Sequence, residues 1–324
     1  MITRIDRIVL GVRDRLAAVE TWRRLFGAAL VREDRIPSLA AQRSVLRVGE
    51  SEVEVIEPDG IGTTAQFLSR FRTPVFAVGF AVRDLGAAQA NLDARAIHHV
   101  REGNQLLLSG EWVGVPALRV VLTQDEKREP AGLLSRIYEA TLLHQQHQRA
   151  ARQLASVFEM NPANFAPIRS APYGYEGTLA FFDPDRLDRI ETVTPFDRNK
   201  TMGRFFARQG PSLYMFYAEA RDTVALRERL LEHAPSAWTG ELEGAAPDNL
   251  FVHPKALHVF EREWVVNLIL WGNMRKLTQA VISDMAVRPH SRVLQVACVY
   301  GEFSNLLAAH LERNCSRLEL VDVA

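Results

Sequence analysis

Cysteine is nearly missing from this chain of 324 residues: the only two, Cys298 and Cys315, lie close to its end. Everything before Cys298 is therefore without disulfides, which is the usage expected of a reducing cytoplasm. Charge of one sign is not in excess either, since 39 Lys and Arg stand against 39 Asp and Glu. A protein that follows a phosphate backbone shows a basic surplus or stripe, so nucleic acid is not an expected partner. Long apolar runs are absent: the longest, "WVVNLILW" at 264 to 271, falls well short of the ~18 residues of a spanning helix and reads as a buried helix. The opening "MITRIDRIVLGV" has no apolar stretch followed by a small-residue cleavage site, so no signal peptide is expected. No G-x-S-x-G nucleophile motif occurs, which leaves no Ser-His-Asp or Cys-His arrangement to nominate.

What is present is repetition. "IDRIVLGVRD" at 5 to 14 returns as "VFAVGFAVRD" at 75 to 84. Both alternate as a half-buried strand does and pass through Arg-Asp into a helical pattern, "RLAAVETWRRLFG" and "LGAAQANLDARA". Strand-rich sequence follows each: "RSVLRVG" and "SEVEVIEPDG" around Gly49, then "NQLLLSG" and "ALRVVLTQ". A third copy runs through "RIYEATLL", "HQQHQRAARQLASVFEM", "EGTLAFFD" and "DRIETVTP", with Phe158 standing where Phe26 stands in the first helix. A fourth runs through "SLYMFYAEARD" at 212 to 222, "TVALRERLLEHA" and "NLFVHPKAL", and the charged "TQDEKREPAG" reads as the connector between two pairs. The expectation is an α+β protein of four βαβββ modules, with paired domains over 1–126 and 127–258 and a further segment over 259–324.

A βαβββ unit repeated in pairs, opened by "IDRIVLGVRD" and closed by "VEVIEPDG", resembles the vicinal oxygen chelate family of glyoxalases, epimerases, extradiol dioxygenases and resistance proteins over about residues 1 to 258. The resemblance implies a cup formed by each pair, which holds a divalent ion on His or Glu ligands from the first and last strands of each module. Carried over position by position, the first cup has Arg7, Glu54, Ala77 and an apolar residue near Val120, a set that cannot hold a metal. The second has Glu139, Glu191 and Met215, with Glu263 as a fourth only if "HVFERE" is a strand. Phe260, Trp264, Leu268 and Trp271 recur at helical spacing, which favours a helix there and removes Glu263. Glu139 and Glu191 are thus the candidate ligands of a divalent, oxygen-preferring ion. The implied function is binding of a small oxygen-bearing molecule in the second cup, with lyase, isomerase or dioxygenase chemistry if the ion is present, while the first pair is structural. Arg7 and Ala77 also support a non-catalytic binding module. Trading of modules between chains would make a homodimer.

Tyr214 and Phe216, two apart on the strand that floors the second cup, are the candidate substrate contacts, with Tyr217 on the other face. His144 and His147 lie in a polar run that reads as solvated surface, and His98 and His99 point to opposite sides of an extended segment. The turn "YGYEGT" at 173 to 178 would rim the cup with Glu176 and nearby Arg169.

The last stretch, "RVLQVACVYGEFSNLLAAHL" and "LELVDVA", resembles the start of a Rossmann-type methyltransferase of the rhodoquinone-biosynthesis group. That resemblance assigns Gly301 to the loop that cradles S-adenosylmethionine and Asp322 to its ribose. The loop keeps only Gly301, with Gln295, Ala297 and Val299 at the other pattern positions. Too little chain follows Ala256 for the full domain, so the expectation is a truncated or fused β-α-β fragment that does not bind S-adenosylmethionine; the alternative reading is an S-adenosylmethionine-dependent methyltransferase, or its remnant, whose N-terminal body recognises a quinone-like substrate.

Overall fold

The computed structural model describes residues 1–71, 73–234, 238–240, 250–252, 292–296, 303–312 and 316–321. They form two compact units, Met1–Leu250 and Phe251–Ala324. The first copy gives β1 (Ile2–Gly11), α1 (Arg15–Phe26), β2 (Ala29–Ile36), β3 (Ala41–Val48) and β4 (Ser51–Pro58), followed by α2 (Thr63–Arg70). The second gives β5 (Val75–Val82), α3 (Leu85–Ala94), β6 (Val100–Glu102), β7 (Gln105–Leu108) and β8 (Val120–Gln124). The third gives β9 (Leu134–Leu143), α4 (His147–Phe158), β10 (Phe165–Ser170), β11 (Tyr175–Phe181) and β12 (Arg189–Pro195), followed by α5 (Thr201–Gln209). The fourth gives β13 (Ser212–Ala220), α6 (Thr223–His233), β14 (Trp238–Gly240) and β15 (Leu250–Val252).

The Arg-Asp dipeptide explains where the helices start. Asp14, Asp84 and Asp222 are N-caps whose carboxylates accept from backbone N–H groups of the first turn of α1, α3 and α6. In the third copy Gln146 takes that place without a side-chain cap. The helices α1 and α4 end alike, with Phe26 and Phe158 buried ahead of a left-handed residue, Gly27 and Glu159.

The first two copies share one sheet of order β2-β3-β4-β1-β5-β8-β7-β6. Within each copy the opening and closing strands run parallel, β1 with β4 and β5 with β8, and the copies meet at β1 and β5, which are antiparallel. The second sheet, β10-β11-β12-β9-β13, repeats that order and stops after the first strand of the fourth copy; β14 and β15 are not part of it. Four complete modules are therefore not seen among the described residues. Chain order enforces this layout, because the helix crossing over between the parallel strands returns on one face of the sheet.

The two sheets of the first unit share contacts that both polar and apolar groups supply. Phe80 stands edge-on to Phe158 and Phe182, each at 5.3 Å between ring centres. The Ile5 N–H donates to Asp188 at 3.0 Å, and the Ile137 N–H donates to the Ser51 hydroxyl at 2.9 Å. Burial of a side chain such as Ile8, Leu25, Leu46 or Phe158 contributes about 1.5–3 kcal/mol each. The Gly49 turn, at φ 60°, exchanges backbone hydrogen bonds with Ala131, and a Cβ there would lie 1.9 Å from the Ser135 carbonyl oxygen. Only glycine allows that approach.

In the second unit β16 (Arg292–Val296) and β17 (Arg317–Val321) pair in parallel, with α7 (Phe303–Glu312) between them in sequence. A parallel strand-helix-strand unit is common to many α/β folds and does not single out a Rossmann-like methyltransferase. Gly301, Asp322, Glu263 and the helix expected around Trp264 lie outside the described residues. Among the described residues no helix is long and apolar enough to cross a membrane.

Candidate functional site

The opening and closing strands set the chemistry of each cup, and the first and third copies place one arginine and two glutamates there in different order. In the first copy Arg7 on β1 sits opposite Glu52 on β4, and Val9 opposite Glu54. In the third copy Glu139 on β9 sits opposite Arg189 on β12, and Thr141 opposite Glu191. Each copy thus holds one arginine and two glutamates at matching register positions, with the opening pair reversed in polarity.

Around Arg7 the charges are closed off. Its guanidinium, 3% exposed, contacts Asp6 at 2.6 Å, Glu52 at 3.0 Å and Glu54. Gly79, its partner on β5, makes the room: a Cβ there would meet Arg7 Cγ at 2.2 Å. Glu54 also accepts from Arg43 at 3.1 Å and from the Gln105 amide at 2.6 Å. Burial pushes the Glu54 pKa up, but Arg7 and Arg43 outweigh it and the net direction is down. Burial acts likewise on Asp6, where Arg7, Arg128 and Arg4 hold the carboxyl well below its usual range.

The Glu139–Glu191 pair comes together as the sequence expected, but its environment differs. Both are almost wholly buried. Glu139 is ion-paired with Arg189, whose guanidinium lies over the Tyr138 and Phe181 rings at 5.2 Å each. Glu191 accepts from the Thr141 hydroxyl at 2.8 Å and is hydrogen-bonded to Tyr175 and to Glu139. Burial and the neighbouring Glu191 charge push Glu139 up to about 7, and burial raises Glu191 as well. Burial followed by the two glutamate charges pushes Tyr175 up to about 12 and raises Tyr217. The group is short of positive charge and retains a proton.

These residues do not fit a resident divalent ion. One carboxylate is occupied by a guanidinium, the other by two hydroxyl donors, and the opening position of the fourth copy is the thioether of Met215, a poor ligand for a hard cation. Among the described residues no group of three His, Cys, Asp or Glu side chains is placed to hold a metal ion.

The aromatic contacts fall differently from the expectation. A register shift between Leu213 and Met215 bulges β13 at Tyr214, which breaks the simple alternation. Phe216 stacks on Trp22 of α1 at 6.3 Å, and Tyr214 meets Phe205 edge-on at 4.9 Å. It is Tyr217, opposite Glu139, that faces the carboxyl pair. Arg169 and Glu176 pair with each other at 2.7 Å on exposed strand positions. His147 shares a 2.9 Å hydrogen bond with Thr178, and His98 stacks on Trp112 at 4.1 Å.

The first cup, expected to be structural, encloses a cavity of about 590 Å³. Val9, Ala77, Leu107 and Val121 from both halves of the sheet floor it, and Phe71 and Trp112 help wall it. Arg119 lines it too, just ahead of β8. Sequence reasoning passed over this residue inside the apolar run "ALRVVL", where a lone arginine was the available signal.

No protein-family model matches the chain, and no curated protein sequence matches it. Solved structures do. A mutant of 4-hydroxymandelate synthase from Streptomyces coelicolor superposes with a TM-score of 0.55 at 14% identity, over 71% of this chain and 76% of that one. Methylmalonyl-CoA epimerase from Streptomyces coelicolor gives a TM-score of 0.34 at 17% identity, over 39% of this chain and 100% of that one. The enzyme of that name from Mycobacterium tuberculosis gives 0.33 at 19% identity, over 38% and 90%. The methyltransferase resemblance finds no support in these likenesses. Edge-joined βαβββ copies, a second sheet of the same order and the superposition on the synthase together give this chain the vicinal oxygen chelate fold.

Proposed function

We propose that this protein binds a small molecule in the cup of its first pair, without a metal ion at that site. The observation that carries this reading is the 590 Å³ cavity, which lies within the ~300–1,000 Å³ typical of small-molecule sites and combines an apolar floor with a few polar groups. The Arg7 cluster supports it, because Arg7, itself at one of the resemblance's ligand positions, is a permanent cation that already pairs with Glu54 at another. Val100, a partly buried residue of the edge strand β6, lines the cavity and can be enlarged without disturbing the Arg7 cluster. A small-molecule panel is screened by thermal shift on wild type and Val100→Trp, with circular dichroism to confirm folding. Ligands that shift the wild type and not the variant support the reading. Equal shifts in both proteins, or none in either, would overturn it.

One observation favours a second activity in the other sheet. A protonated carboxyl and an ionised one in hydrogen-bond contact, with Tyr175 and Tyr217 alongside, form a site able to give a proton to an oxygen-bearing molecule and take one back. Glu139→Gln, which cannot ionise, should abolish such exchange, read as loss of solvent-deuterium incorporation into a bound ketone or hydroxy acid. Persistence of exchange in that variant removes the acid-base reading, and stoichiometric divalent metal in the purified protein would restore the metal-assisted one.

A further inference from the structure

The cavity of the first cup holds cationic groups that have no anionic partner among the described residues. The Arg119 guanidinium lies 5.3 Å from the Phe67 ring centre and 4.8 Å from that of Phe76. Those rings face its charge, but they supply no acceptors in the plane of its N–H groups. Among the described residues no carboxylate lies within ion-pair distance of Arg119, and none of the side-chain hydrogen bonds starts from it. Arg70, at the end of α2, lines the same cavity and is placed over Phe71 at 5.2 Å, again without a carboxylate. The Ser109 hydroxyl, also in the lining, is buried and unpartnered.

The contrast with the rest of the molecule gives this weight. Arg4, Arg7, Arg43, Arg128, Arg136 and Arg189 are each paired with at least one carboxylate. Glu54 reaches the cavity wall, but Arg7 and Arg43 already occupy its oxygens. Glu111 is also in the lining and offsets the field at Arg119 only in part: burial lowers that guanidinium's pKa, and the Arg70 charge lowers it further. A charge kept half-buried against aromatic rings beside a second like charge is costly unless something anionic enters.

We infer that the first cup is a receptor for a small organic anion, a carboxylate on an aromatic or aliphatic body, with Arg119 as the group that grips the carboxylate. The planar fork of the guanidinium matches the two carboxylate oxygens, Arg70 adds long-range attraction, and the Ser109 hydroxyl is available as a further donor. The apolar body lies on Leu107, Val121 and Phe76. This deepens the first-cup reading proposed above and rests on it.

Calorimetry with two probes of one shape separates the two claims: naphthylacetate, which carries the carboxylate, and naphthylacetamide, which is neutral. Wild type should prefer the acid by about 10- to 100-fold, the value of a hydrogen-bonded charge pair. Arg119→Met keeps the aliphatic stem on the Phe67 and Phe76 rings and should remove that preference while leaving the amide's affinity unchanged. Arg70→Met, an exposed change that does not threaten folding, should reduce the acid's affinity severalfold and steepen nothing for the amide. Equal binding of acid and amide to wild type, or a preference that survives in Arg119→Met, overturns the anion receptor, and loss of both probes in Val100→Trp would then leave the cavity reading intact. Failure of both probes to bind wild type overturns the anion receptor, and the thermal-shift panel on wild type and Val100→Trp decides the cavity reading separately.

Discussion

Replacing Arg7 by methionine tests whether the Arg7 cluster is held together by charge or by shape. Methionine retains an unbranched stem over Gly79, so packing against β5 is largely preserved and the guanidinium alone is lost. What remains is Glu52 and Glu54 in a site where Arg7 supplied the closest cation, and Asp6 without one of its three arginines. Removal of one partner from a buried ion pair costs about 3–5 kcal/mol, because the orphaned charge keeps its desolvation penalty. In a unit of this size each kcal/mol lowers the melting temperature by about 2–4 °C, so a fall on the order of 10 °C is expected.

The pH dependence of that loss carries a definite sign. Glu54 and Asp6 have folded pKa values below their unfolded ones, so their stabilisation is complete above the ordinary carboxylate range and is lost as the pH falls through the folded values. The gap between wild type and Arg7→Met, measured by urea unfolding, should therefore be widest near neutrality and close in acid. Adding Glu54→Met should recover part of the loss, since an apolar pair in place of a buried ionic one is often neutral or better. A single variant within ~1 kcal/mol of wild type at pH 7, or a gap independent of pH, would refute this account of the cluster.

The carboxyl pair of the third copy gives the opposite sign. Glu139 is raised to about 7 from 4.5, so its folded form holds a proton that the unfolded chain has released. Its contribution is present below the unfolded pKa and disappears as the pH rises toward 7, with an upper bound of about 3 kcal/mol from the size of the shift. Denaturant midpoints of Glu139→Gln should lack that slope between pH 4.5 and 7, and an unchanged slope would assign the titration elsewhere. At the Gly49 turn, alanine meets both a left-handed backbone and the Ser135 carbonyl, for a cost of about 2–4 kcal/mol. Gly103→Ala, left-handed but in open space, should cost no more than about 1–2 kcal/mol, and similar losses at both sites would show that the turn does not dock as described.

The strands that were legible in the sequence are the central ones. β5 is a near-continuous apolar run because both faces are covered, β1 alternates apolar residues with Arg4, Asp6 and Arg7 that are buried among their own partners, and the Arg-Asp cap after each marks the helix start. The strands passed over were β14 and, in the two larger sheets, β2, β6 and β10, each of these three the terminal strand of its sheet or sheet half. An edge strand needs no apolar pattern and is safer without one: β2 reads "ALVREDRI", β6 is only three residues long and β10 contains Pro167. The helices α2 and α5, each inserted before the next opening strand, were hidden for a different reason. They are eight and nine residues long, too short to establish a period against their surroundings. At the site, Glu139 and Glu191 were legible because module arithmetic places them. Tyr217 was missed because a bulge at Tyr214 shifts the alternation, which no residue type in "SLYMFYAEA" signals.

The reversal between the first and third copies explains why similar residues end in opposite protonation states. Both sites contain an arginine and two glutamates at equivalent register positions, and both are buried. In the first copy the arginine is on the opening strand, where it reaches both closing-strand carboxylates, and Arg43 and Arg128 arrive from β3 and the connector to complete the neutralisation. In the third copy the arginine is on the closing strand beside Glu191 and engages Glu139, while the groups that reach Glu191 are hydroxyls. With a second cation supplied, two carboxylates both ionise; without it, one keeps its proton. The strand that carries the arginine, together with the further cations that Arg43 and Arg128 supply, thus makes the first site a closed ionic clamp and leaves the third with a proton to move. Placing an arginine at Thr141, the register partner of Glu191, is the corresponding exchange: Thr141→Arg should lower the Glu139 titration below neutrality if this reasoning holds, and leave it near 7 if burial alone sets it.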